Sequence, residues 1–170
     1  MKKPFRALAT AILLTIMLGS THTFAADVKN YPGSTCQPAT GAQAASLSYF
    51  IGVALNDSST DSIALDCPII RGVLNPPISR GRVAVVAQNP NQAVSCTIRS
   101  IDAANGANVP SRQVTQTVNT TVTAPGVQHL DFASLTDFGN DSYYIITCIV
   151  PPRSEDRLGS GIVFYQVREE

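Results

Sequence analysis

Tyr143-Tyr144-Ile145-Ile146-Thr147-Cys148, closed by Pro151-Pro152, is the stretch on which the reading of the whole chain turns. Side chains alternate along an extended backbone, so Tyr144, Ile146 and Cys148 share one face and Tyr143, Ile145 and Thr147 the other. β-branched and aromatic residues dominate it, as they do in half-buried strands. The two prolines end it, because proline cannot donate to a strand ladder.

The same period recurs in both directions. Val94, Cys96 and Ile98 alternate with Ser95, Thr97 and Arg99, and Ile63, Leu65, Cys67 and Ile69 with Ala64, Asp66 and Pro68. Leu130 and Phe132 alternate with His129 and Asp131, and Val114, Val118 and Val122 share a face with Gln116 and Thr120. Residues 82–87 form a valine-rich run, and residues 162–167 make a closing strand. Leu47, Tyr49, Ile51, Val53 and Leu55 read as one face of a single strand. Turn chemistry separates these runs at Asn56-Asp57-Ser58-Ser59, Asn75-Pro76-Pro77, Asn89-Pro90-Asn91, Asn105-Gly106, Gly139-Asn140-Asp141 and Gly159-Ser160-Gly161. About eight short strands without a helical period predict an all-β, two-sheet sandwich with Greek-key connections. A small β-barrel is the alternative.

The start of the chain reads differently. Lys2, Lys3 and Arg6 precede an apolar run over residues 7–18, and small and polar residues then lead to Thr23-Phe24-Ala25. That order is a secretory signal peptide over residues 1–25, cleaved after Ala25. The run is shorter than the ~20 apolar residues a spanning helix needs. Residues 26–45 are polar and rich in turn formers, an extended lead-in, and residues 46–170 make the sandwich domain. Losing the leader removes three of the twelve basic residues against twelve acidic ones, so the mature chain is weakly acidic. Scattered charge of that kind offers no footprint for nucleic acid. Glu169 and Glu170 read as solubilising terminal charges.

Cys36, Cys67, Cys96 and Cys148 all follow the leader, and an even count in an exported chain reads as two disulfides. Of the possible pairings we expect Cys36–Cys67, tying the lead-in to a strand, and Cys96–Cys148, joining two strong strand patterns. A bridge between sheets at Cys96–Cys148 would suit an immunoglobulin arrangement, yet the chain has no Trp and carries Ile146 where a tyrosine corner would stand. The sandwich is therefore immunoglobulin-like only in the loose sense.

Asp66-Cys67-Pro68, Val94-Ser95-Cys96, the run from Tyr144 to Cys148 with Pro151-Pro152, and the ending Tyr165-Gln166-Val167-Arg168-Glu169 together resemble small secreted bacterial proteins, proteobacterial in type, with a leader and a four-cysteine β domain. The resemblance implies a periplasmic or extracellular setting. It transfers no activity and no functional residue.

Chemistry-bearing residues are sparse. His129 is the one histidine beyond the leader, and Asp131 shares its face, so a hydrolase would have to draw a serine from elsewhere without a G-x-S-x-G elbow. No cofactor motif is present, and a lone histidine without C-x-x-C spacing does not make a zinc site. Asp57, Ser59 and Asp61 in one loop, and Asp137, Asn140 and Asp141 in another, are weak calcium candidates that miss the full twelve-residue pattern. Tyr31, Phe50, Tyr143, Tyr144 and Tyr165 are candidate sugar-stacking rings, with Tyr143 and Tyr144 on opposite faces. Arg71, Arg80 and Arg82 bracket the Pro76-Pro77 loop as candidates for a small anion or partner site. The expectation that follows is a non-catalytic exported module meeting another envelope or surface protein, pairing through the strand at residues 162–167 if that strand lies at a sheet edge. The alternative is a module that binds carbohydrate or calcium through loops at one end of the sandwich.

Overall fold

Two antiparallel sheets carry out the alternation in a computed structural model that describes residues 27–72, 77–89, 91–102, 113–120, 126–135, 142–154 and 159–170. The leader, its cleavage site, and the turns at Asn105-Gly106 and Gly139-Asn140-Asp141 lie outside the described residues. The strands are β1 (Asp27–Pro32), β2 (Gln37–Pro38), β3 (Leu47–Phe50), β4 (Val53–Asn56), β5 (Ile63–Ile69), β6 (Ile78–Ala87), β7 (Ser95–Asp102), β8 (Gln113–Asn119), β9 (Gly126–Phe132), β10 (Ser142–Val150) and β11 (Gly161–Glu169). The six-stranded sheet runs β3-β4-β11-β6-β9, with β1 also pairing β11, and the five-stranded sheet runs β2-β5-β10-β7-β8. They form a sandwich and not a closed barrel.

The deciding stretch is β10, the centre of the smaller sheet. Tyr144, Ile146 and Cys148 are buried, as are Ile98 and Cys96 opposite them on β7 and Leu65 and Cys67 on β5. From the larger sheet, Val83, Val85, Leu130, Phe132, Ile162, Tyr165 and Val167 meet them across the core.

Both disulfides form as Cys36–Cys67 and Cys96–Cys148. The second does not bridge the sheets. Cys96 and Cys148 are direct partners on β7 and β10, so the bond crosses neighbouring strands within the smaller sheet. The paired strands bring their Cα atoms to 4.0 Å, the close approach of a non-hydrogen-bonded antiparallel pair.

Three further expectations are corrected. Residues 47–55 are a hairpin, not one strand, with Ile51 (φ 48°) and Gly52 (φ 80°) turning β3 into β4. A two-residue turn with both φ values positive matches the twist of antiparallel strands. It also swaps the face: Leu47 and Tyr49 lie on the core side, whereas Val53 and Leu55, across from Phe50 and Ser48, lie on the outer side. The closing strand β11 is not an edge, because β6 flanks it on one side and β1 and β4 share the other. Glu169 is not a surface charge. Its side chain is buried, 2.6 Å from Lys29 Nζ, and it accepts from the Gly72 N–H.

The lead-in is extended but paired. β1 lines up along β11 from Asp27 opposite Glu169 to Pro32 opposite Phe164, and β2 pairs β5. Tyr31 stacks on Tyr165 with ring centroids 4.8 Å apart. Ten-residue β6 and nine-residue β11 thus carry a sheet whose outer side faces solvent across four strands.

Candidate functional site

The outer side of the larger sheet is organised in rows, each set by strand register. In one row Pro32, Phe164, Ala84 and His129 follow one another across β1, β11, β6 and β9. Ala84 is fully buried although it lies on the solvent side. Its small side chain lets Phe164 and His129 close over it, with their rings 6.2 Å apart and tilted by 55°. The next row is Asn30, Gln166, Arg82 and Asp131. Gln166 Nε2 donates to Asn30 Oδ1 at 2.8 Å, and Arg82 grips Asp131 with Nε to Oδ1 at 2.6 Å and Nη2 to Oδ2 at 3.1 Å.

These side chains are planar, pre-oriented and solvent-facing, and they keep donor and acceptor capacity beyond their mutual bonds. Strand spacing makes such a row about 14 Å wide, from three steps of ~4.8 Å, and successive rows lie ~7 Å apart. Toward the β3–β4 hairpin the face turns apolar, with Phe50 and Val127 well exposed and Val53, Leu55 and Val86 half-buried. At the opposite end stand Val28, Arg168 and Arg80.

The Arg82 guanidinium holds the Asp131 carboxyl below its ordinary range, chiefly by direct hydrogen bonding, with partial burial opposing the shift. Asp131 therefore stays ionised and is bound to arginine rather than to the imidazole. His129 and Asp131 share a face, as the alternation implies, but Phe164 is what His129 packs against. The arrangement does not orient His129 as a base.

The other sequence candidates are scattered. Tyr144 is buried beneath Arg71, whose guanidinium carbon sits 5.1 Å from the ring centre. Arg71 Nη1 also donates to the Ser142 carbonyl, so this arginine is parted from Arg80 and Arg82. Tyr165 is buried, donates to the Pro68 carbonyl at 2.6 Å, and burial raises its hydroxyl above the ordinary value. Tyr31 bonds Ile70 through its hydroxyl. Tyr143 is partly exposed on the smaller sheet, and Phe50 lies at the rim of the larger one.

At the end loops, Asp57 and Asp61 flank a turn closed by its own side-chain hydrogen bonds. Asn56 Oδ1 accepts from the Ser58 N–H, Ser58 Oγ from the Thr60 and Asp61 N–H groups, and Asp61 Oδ2 from Thr60 Oγ1. Buried Asn56 anchors the turn through Nδ2, which donates to the carbonyls of Asp61, Val150 and Pro151. Asp137 and Asp141 lie outside the described residues. Among the described residues no three His, Cys, Asp or Glu side chains gather as a metal-holding group, and no helix is long and apolar enough to cross a membrane.

Phe164, Gln166, Asn30 and Arg168 were not singled out by sequence reasoning. β11 carries a register shift between Ile162 and Phe164, so Ile162 and Tyr165 both face the core despite an odd separation. A strict period of two misassigns one end of such a strand.

No family model matches the chain, and no curated protein does. Solved structures with a related shape include a low-affinity xylan-binding module from Roseburia intestinalis, at 7% identity and TM-score 0.47, covering 86% of this chain and 96% of that one. An isomalto-dextranase from Arthrobacter globiformis complexed with panose matches at 9% identity and TM-score 0.41 over 82% of this chain and 23% of its own. A cycloalternan-forming enzyme from Listeria monocytogenes in complex with a pentasaccharide matches at 11% identity and TM-score 0.35, over 79% of this chain and 10% of its own. Likenesses this distant carry no inference about a ligand.

Proposed function

We propose that the protein is an exported, non-catalytic module that binds a glycan chain along the outer face of its larger sheet. The observation that carries this reading is the pair of adjacent rows, Phe164 and His129 beside Asn30, Gln166, Arg82 and Asp131. A sugar presents C–H surface on one side and hydroxyls at its rim. An aromatic side chain next to rigid planar donors and acceptors is complementary to both. Glycoside hydrolysis needs two carboxyl groups, one of them kept protonated. Asp131 is the one carboxylate in these rows and is held ionised.

The two disulfides fit an oxidising compartment, so the glycan would be met outside the cytoplasm. Pairing with an envelope protein through β11 loses its basis now that both sides of β11 are occupied. The reading also moves carbohydrate binding from the end loops to a sheet face.

Titration calorimetry against a panel of soluble polysaccharides tests it. Binding should fall about tenfold in Gln166→Ala, on the order of one lost hydrogen bond, and by at least as much in Arg82→Ala, where the lost donor is charged, with unchanged circular dichroism. Wild-type protein that binds nothing in the panel, or variants that bind as well as wild type, would contradict the proposal.

A further inference from the structure

Arg80 on β6 and Arg168 on β11 are direct cross-strand partners on the same outer face, and both are exposed. Like charges placed opposite one another destabilise a strand pair. Arg168 bonds Glu170, and Arg82 in the row above is bound to Asp131. Among the described residues no carboxylate forms an ion pair with Arg80. Three arginines thus face two carboxylates at this end of the platform, a local positive excess on a chain whose Lys and Arg balance its Asp and Glu, twelve against twelve.

From this geometry we infer that the glycan is acidic, with a carboxylate-bearing sugar seated at Arg80 and Arg168. The inference rests on the platform reading and names its substrate class. A guanidinium offers a carboxylate two parallel N–H donors, and a second guanidinium beside it fixes the orientation of the sugar ring. The carboxylate also relieves the repulsion between the arginines. Nucleic acid is the poorer fit. Its binding depends on many phosphate contacts, about six to ten in a typical site, and this face holds three arginines, two already paired.

The test uses polygalacturonate, polymannuronate and polyglucuronate, each as the free acid and as the methyl ester, so that charge changes while the backbone does not. Wild-type protein should bind at least one acid form roughly ten- to a hundredfold tighter than its ester, as expected for a charge-assisted pair. That preference should vanish in Arg80→Ala/Arg168→Ala and weaken with added salt. Arg80→Glu, an exposed change that forms a cross-strand ion pair with Arg168, serves as the folded control and should reject the acid form. Equal binding of acid and ester by wild type overturns the acidic specificity and leaves the platform standing. Binding of neither form in any pair also overturns the acidic specificity, and the platform falls with it if the neutral polysaccharides of the panel do not bind either.

Discussion

The two outer faces of the sandwich are built from the same alternation and differ in what supports them. The smaller sheet is stapled from beneath by both disulfides, at β5 and between β7 and β10. Its described outer residues are mostly apolar or hydroxyl-bearing, and Thr147 Oγ1 donates to Asp66 Oδ1 at 2.6 Å. The larger sheet has no disulfide. It is held by the Tyr31–Tyr165 stack and the Lys29–Glu169 pair, which tie β1 to β11, and it carries the ordered polar and arginine rows. The difference teaches a division of roles, in which one sheet supplies covalent stability and the other presents chemistry.

The largest effect should come from breaking the staple. Replacing Cys96 and Cys148 together by Ala should cost about 4 kcal/mol, since the bond closes a sequence separation of 52 residues. That would lower the melting temperature by on the order of ten degrees. Protein still folded in the cold should bind glycan as wild type does. Loss of binding in that folded population would break the division.

Glu169→Gln attacks the larger sheet's own fastening. It removes the carboxylate 2.6 Å from Lys29, which keeps Asp27 at 3.7 Å and the Ile70 carbonyl at 2.9 Å, and should cost ~2 kcal/mol in urea unfolding, on the order of one charge-assisted hydrogen bond. A neutral result would mean that β1 is held by its ladder and the Tyr31–Tyr165 stack without help from the ion pair.

Ile51→Asn should act in the opposite direction. A β-branched residue at φ 48° is strained, and Asn-Gly is the preferred pair for this turn, so a gain of ~1 kcal/mol is expected. The variant also removes an exposed apolar side chain at the rim, and an unchanged glycan affinity would confine the site to the rows.

The smallest effect concerns pH. The folded-state carboxyl of Asp131 lies below its unfolded value, so its contribution to stability is present above the ordinary carboxylate range, near 3.9, and is lost as pH falls through the depressed folded value. Because both partners are well exposed, the effect on melting should be barely measurable. The lowered midpoint itself should be visible by carboxyl NMR titration and should move back up in Arg82→Ala, with Arg80 and His129 still lowering it.

Much of this comparison was legible in the sequence. Alternation around Cys96 and Cys148 marked two strands and the bond between them, though not that the strands are neighbours within one sheet. What was not legible depends on long-range register. The turn at Ile51-Gly52 hides because a β-branched residue rarely takes a positive φ, so nothing local advertises it. Arg168 joins Arg80 only because β11 and β6 are neighbours, whereas Arg71, closer in sequence, is drawn to Tyr144. Glu169 is buried by a lysine 140 residues away, a pairing no local pattern encodes.

The most direct test of the central claim is a heteronuclear NMR titration of the oxidised protein with an acidic oligosaccharide that binds in the panel. The account predicts chemical-shift changes concentrated at Asn30, Arg80, Arg82, His129, Phe164, Gln166 and Arg168. Changes confined to the loop at residues 56–61, or to the outer face of β5, β7 and β10, would contradict it.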